Sequence, residues 1–177
     1  MKLIINGPVK PYYIQMLAML FYPGEKFPEG DEANAETRIV QVDVKLLEDG
    51  VLSHVRIADG EHSEEGESFL GNLGLDTEKL IKYSAGGAFL DACTKLTGHI
   101  PPWGMLTGVR PARIAADLLN TGMSSDETRK FFTDIYRTNG EKAKLAVSTA
   151  EVSKRIIRPE SINECSVYVS IPFCPSR

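Results

Sequence analysis

Cys174, Tyr168, Arg110 and Arg113 are the residues of this 177-residue chain whose type and setting point most directly to chemistry. The first two lie in "YVSIPFC". Val167, Val169 and Ile171 alternate there with Tyr168 and Ser170, the period of a strand, and Cys174 follows just past its carboxyl end. In α/β sheets and barrels that end is where ligands and cofactors bind. A thiolate behind Pro172 and Phe173 suits a metal, although one cysteine does not by itself hold an iron–sulfur cluster. Cys93 lies inside an apolar helical pattern and reads as a buried structural thiol. With Cys165 the cysteines number three, an odd and widely spaced set that is no disulfide framework. The expected location is a reducing cytoplasm.

Arg110 and Arg113 belong to "IPPWGMLTGVRPARIA", at the entry to an expected helix. Free backbone N–H groups, the positive end of the helix dipole and an arginine together suit a carboxylate or phosphate. The competing reading has Trp103 and Met105 packing the loop on the core while Arg110 bonds buried carbonyls. The glycines permit tight turns under either. His54, His62 and His99 share no metal-ligand spacing. No phosphate loop or nucleophile elbow is present, and Glu64/Glu65 read as solubility rather than a catalytic pair.

A net charge of −4 argues against nucleic acid as the partner, since such proteins carry a basic stripe. No apolar run approaches a membrane span, and "MKLIINGPVK" is too short in apolar residues for a secretory signal. With 42% hydrophobic and 25% charged residues, the composition is that of a folded globular chain.

The elements that must position these residues are legible in outline. "KLIIN" reads as a strand closed by Gly7-Pro8. "PYYIQMLAMLFYPG" reads as a buried helix between Pro11 and Pro23-Gly24, and "EKFPEGDEANAE" as an acidic loop. Val40, Val42, Val44 and Leu46 alternate with polar residues, and Asp49-Gly50 is expected at the centre of a tight hairpin. That turn pairs Val44 with Val55, Val42 with Ile57 and Asp43 with Arg56. "DGEHSEEGES" is expected as a turn or mobile loop of solvated charge. Asp76 caps a helix whose Ile81, Ala85, Ala88, Ala92 and Leu96 share a face. Gly86-Gly87 within it cost about 1 kcal/mol each, offset by close approach of a neighbouring element. Residues 1–97 are thus expected as an α+β domain, a small antiparallel sheet with covering helices. Residues 98–160 read as a helical segment: a helix starting at Pro111, one capped by Ser124 with Glu127, and one capped by Thr138 with Glu141.

The terminal stretch resembles the opening of the cluster motif in oxygen-independent coproporphyrinogen III oxidases and their radical S-adenosylmethionine relatives. "WGMLTGVRPARIA" resembles the upstream extension of the HemZ type, also called coproporphyrinogen dehydrogenase. The resemblance implies that 161–177 begin a (β/α) barrel, cut short, with Cys174 the first ligand of a 4Fe–4S cluster and Tyr168 beside S-adenosylmethionine. The second and third cysteines would follow Arg177, so this piece is expected to assemble no cluster and to be inactive by itself. It further implies a haem-biosynthesis oxidoreductase that decarboxylates coproporphyrinogen propionates to vinyl groups, with a tetrapyrrole substrate and an electron donor as partners. Ser170 stands where the family has histidine. That departure keeps open a relative acting on haem or another tetrapyrrole. A non-catalytic binding module is the remaining alternative.

Overall fold

The computed structural model describes residues 1–27, 38–156, 165 and 167–170. In chain order its elements are β1 (Lys2–Asn6), α1 (Pro11–Phe21), β2 (Ile39–Leu47), β3 (Gly50–Asp59), β4 (His62–Gly71), α2 (Thr77–Thr97), α3 (Pro111–Asn120), α4 (Ser125–Asp134) and α5 (Gly140–Ile156). The class is α+β, as the sequence pattern implies. The sheet is mixed: β2, β3 and β4 form an antiparallel meander, and β1 joins β2 in parallel, in the order β1-β2-β3-β4.

The hairpin forms where expected, but its register is two residues away. Val42 faces Val55, Val40 faces Ile57 and Asp43 faces His54, so the two-residue loop is Glu48-Asp49. A shift of two preserves side-chain parity, so Val40, Val42, Val44, Val55 and Ile57 still reach the core. Gly50 has no positive φ. It pairs with Gly71, and a Cβ there would stand 2.2 Å from the Leu70 carbonyl oxygen. The glycine serves close strand approach, not the turn.

The segment "DGEHSEEGES" corrects the loop expectation. Only Gly60-Glu61 turn, with Gly60 at φ +62°, and His62 opens β4. Alternation is hidden because the inward positions of β4 include Gly66 and Ser68 rather than large apolar residues. They are small because α2 lies directly on the strand. A Cβ on Gly66 would be 2.2 Å from the Ala88 carbonyl oxygen, and one on Gly87 would be 2.9 Å from Ser68 Oγ. The Ser84 hydroxyl, fully buried, sits 2.8 Å from both Ser53 Oγ and the Ser68 carbonyl. The close approach expected of Gly86-Gly87 is therefore present on two sides, since Gly86 meets Tyr13 of α1.

Asp76 caps α2 by accepting from the Lys79 N–H at 2.8 Å. Ser124 and Glu127 form the expected capping box on α4. On α5 the cap is Asn139, whose Oδ1 accepts from the Glu141 and Lys142 amides; Thr138 is instead buried, donating to the Trp103 carbonyl at 3.4 Å. A buried hydroxyl goes to the loop carbonyl beside it, and the exposed amide next along the chain takes over the helix start. α3, α4 and α5 pack on one another, and one hydrophobic cluster contains residues of sheet and helices alike, from Val40 and Phe89 to Phe132 and Val147.

Gly66→Ala forces Cβ into backbone and is expected to lower stability by about 1–3 kcal/mol, the scale of overpacking a core. Gly140→Ala, with nothing within 4 Å, is expected to be neutral or stabilising by up to about 1 kcal/mol. Urea denaturation of the two variants checks the contrast.

Candidate functional site

The loop between α2 and α3 is built on backbone contacts that only certain residues allow. Gly104 has φ +55°, and a Cβ on it would stand 2.0 Å from the Tyr136 carbonyl oxygen. Without that Cβ, the Met105 amide donates to the same carbonyl at 2.9 Å and the Asn139 amide to the Pro102 carbonyl at 3.0 Å. Met105 is thereby driven into the core, and Trp103 packs against it with the Lys142 ammonium 5.7 Å from its ring centre. The packing half of the competing sequence reading is realised.

Beneath the loop three tyrosines from three parts of the chain converge. Tyr13 of α1 donates to Met105 Sδ at 3.4 Å. Tyr83 of α2 and Tyr136 meet edge to face with hydroxyls 3.3 Å apart, and Phe131 and Phe132 press on Tyr136 from α4. The Lys82 ammonium lies 5.0 Å from the Tyr13 ring centre. A small cavity of about 70 Å³ opens there, lined by these tyrosines and Lys82 with Thr107, Val109 and Ile114 on its other wall.

Arg110 and Arg113 flank that wall in the chain. Arg110 is the N-cap of α3, with Pro111 at the first helical position, and its side chain makes no capping bond. Both arginines are exposed and form no ion pair among the described residues. Among the described residues Arg110 bonds no buried carbonyl with its side chain; its own carbonyl accepts from Arg113 and Ile114. The arrangement offers cations beside an uncapped helix start and an aromatic-lined recess. It suits anion binding, not proton transfer. Burial raises the Tyr13 and Tyr136 phenols well above the usual range, so both remain hydrogen-bond donors at neutral pH.

The remaining candidates fall elsewhere. Cys93 is fully buried, and burial pushes its thiol up, away from the thiolate a metal needs. Cys165 is exposed, as are Val167, Tyr168 and Val169, which stand in no ladder. Cys174 lies outside the described residues. Among the described residues no three His, Cys, Asp or Glu side chains gather to hold a metal, so they do not supply a cluster site. His54 contacts Glu65 at 3.3 Å on the open sheet face, and His99 packs edge-on against Phe21. Lys82, Tyr13, Tyr83 and Tyr136 escape sequence reasoning. The one available signal is Gly86-Gly87, which announces that something from outside α2 must come close.

A mixed α+β unit carrying an arginine-flanked loop over a tyrosine recess is thus the class that fold and site define. No family model matches the chain. It is similar to the oxygen-independent coproporphyrinogen-III oxidase-like protein HemZ of Bacillus subtilis (strain 168), at 24% identity over 169 residues. The match covers 93% of this chain and 33% of that protein, so the chain spans about a third of the length of the relative it matches. The resemblance read from the two motifs is thereby supported across nearly the whole chain. No helix among the described residues is long and apolar enough to cross a membrane.

The Tyr22 hydroxyl, buried without a hydrogen-bond partner among the described residues, is pushed up to about 12 by burial and then by neighbouring Cys93. A raised folded value means that the unfolded chain ionises first, from about pH 10. The stability linked to Tyr22 is expected to be complete below about pH 10 and lost as pH rises toward about 12. Tyr13 and Tyr136 shift in the same direction. Urea midpoints recorded against pH check this, and Tyr22→Phe is expected to flatten the alkaline decline.

Proposed function

We propose that this chain is part of a longer radical S-adenosylmethionine oxidoreductase of haem biosynthesis, acting on a coproporphyrinogen-type tetrapyrrole. The observation that carries the reading is the likeness to the oxidase-like protein over 93% of the chain, joined to "YVSIPFC" at the point where that family places its first cluster ligand. On this reading residues 1–97 and 98–160 form the portion ahead of the barrel that 161–177 begin. Cys174 is the first ligand of a 4Fe–4S cluster and Tyr168 lies beside S-adenosylmethionine. The cluster supplies reductive cleavage chemistry when complete; the described residues supply binding surface. Arg110 and Arg113, exposed and without ion pairs among the described residues, face a substrate carboxylate with Lys82 nearby. An electron donor completes the set of partners, and the acidic chain fits a cytoplasmic small-molecule enzyme better than a nucleic-acid binder. Ser170 in place of histidine favours one second reading, a relative acting on haem or another tetrapyrrole.

Anaerobic iron–sulfur reconstitution of the longer protein is expected to give 4Fe–4S absorbance that Cys174→Ala abolishes, while the 177-residue chain gives no stable band. Retention of the band in Cys174→Ala removes the cluster assignment. Coproporphyrin titrated into the chain is expected to bind Arg110→Ala about two- to fivefold more weakly, the scale of one exposed charge contact. Equal affinity removes Arg110 from the site.

A further inference from the structure

We propose that the free edge of β4 receives an extended segment of a partner protein whose residues alternate between basic and apolar. Among the described residues β4 ends the sheet, and the two hairpin loops of two residues each fix which of its backbone groups are spent. Leu47 with Gly50 and Asp59 with His62 are the bonded pairs next to those loops. In an antiparallel ladder bonded and non-bonded pairs alternate. Even-numbered residues of β4 therefore bond to β3, while Ser63, Glu65, Glu67 and Phe69 turn their N–H and C=O groups outward. One contact bears this out independently: the Lys95 ammonium reaches the Glu65 carbonyl at 2.6 Å. The outward groups of Glu67 and Phe69 have no partner among the described residues.

Beside that edge lies a cleft of about 470 Å³, between β4, the flank of α2 and the loop at Ile100-Pro101. Its floor is apolar, formed by Leu90, Ile100 and Pro101, with Ile100 71% exposed. An added strand sends alternate side chains to opposite faces of the sheet. Those on the α2 side enter the cleft and meet the apolar floor. Those on the other side stand next to Glu65 and Glu67, and Glu67 has no ion pair among the described residues. Asp91, at the cleft wall, is held by Arg137 only at 3.6 Å. The chemistry that complements these groups is a strand with lysine or arginine on one face and valine- or leucine-like residues on the other. A second copy of this chain is disfavoured, because pairing β4 with itself about its centre sets Glu65 against Glu67. Acidic edge residues disfavour that self-association while leaving the Glu67–Phe69 stretch open to an opposite charge; the Lys95 contact closes the edge at Glu65.

The probe is a short peptide with blocked ends, alternating lysine and valine, titrated into the full chain with amide hydrogen exchange followed by NMR. Saturable binding is expected, with slowed exchange at the Glu67 and Phe69 amides. N-methylating the peptide nitrogens that face β4 leaves its charge intact and is expected to weaken binding about tenfold for each hydrogen bond lost. Replacing lysine by glutamate is expected to abolish binding. Phe69→Pro removes an outward N–H without touching a charge, at an edge position that tolerates proline, and is expected to act like N-methylation while the thermal melt stays cooperative. The proposal is overturned by no binding, by equal affinity of the N-methylated peptide (charge attraction alone), or by dimerisation of the chain through the same amides (a second copy as occupant). The N-methylated peptide decides the matter even if Phe69→Pro does not fold.

Discussion

The absence of side chains between α2 and β4 is the constraint on which the remaining structure depends. Gly66 on the strand and Gly87 on the helix let two backbones approach to distances at which a single added methyl group would strike a carbonyl oxygen or a serine hydroxyl. Ser53, Ser68 and Ser84 then share one buried hydrogen-bonded cluster in place of apolar packing. Sitting this low, α2 presents Gly86 to Tyr13 and Met105, and that contact draws the loop ahead of α3 down onto α1. The tyrosine recess and the cleft beside β4 are both lined by residues of the same seated helix.

Backbone punctuation and capping chemistry are readable from the residues. Pro111, Ser124 with Glu127, and Asp76 open helices at the positions their side chains dictate. The hairpin is readable in kind but not in register. Asp49-Gly50 carries a strong turn signal, yet Gly50 is committed to the Leu70 backbone, so the turn moves one residue earlier. β4 is unreadable for the same physical reason that it matters: a strand packed against helix backbone shows glycine and serine inward, and hydrophobic alternation disappears. Thr138 departs from its expected role because a capping hydroxyl and a loop-bonding hydroxyl look alike in sequence, and burial decides between them.

The candidate site is legible only along one segment. "WGMLTGVRPARIA" identifies the loop by its resemblance and its arginines by their charge. The tyrosines arrive from α1, α2 and the end of α4, separated by up to 123 residues in sequence (13 to 136), and no local pattern links them. Small or soft residues make the room: Gly86 and the Met105 sulfur receive Tyr13, and Gly104 admits the Tyr136 carbonyl. A site assembled by packing leaves its trace in the residues that make room.

Arg137 carries a consequence for any attempt to harden this chain. It is the one described non-glycine residue at positive φ, +56°, held there because Gly104 and Met105 dock on the preceding backbone. The main chain would be more relaxed with glycine, by roughly 1 kcal/mol, while the arginine side chain sets a cation against Asp91 at the cleft wall. Selection for heat resistance would therefore favour glycine at this codon and remove that counter-charge from Asp91. Variants gathered by thermal screening alone would drift toward a quieter backbone and a more acidic cleft.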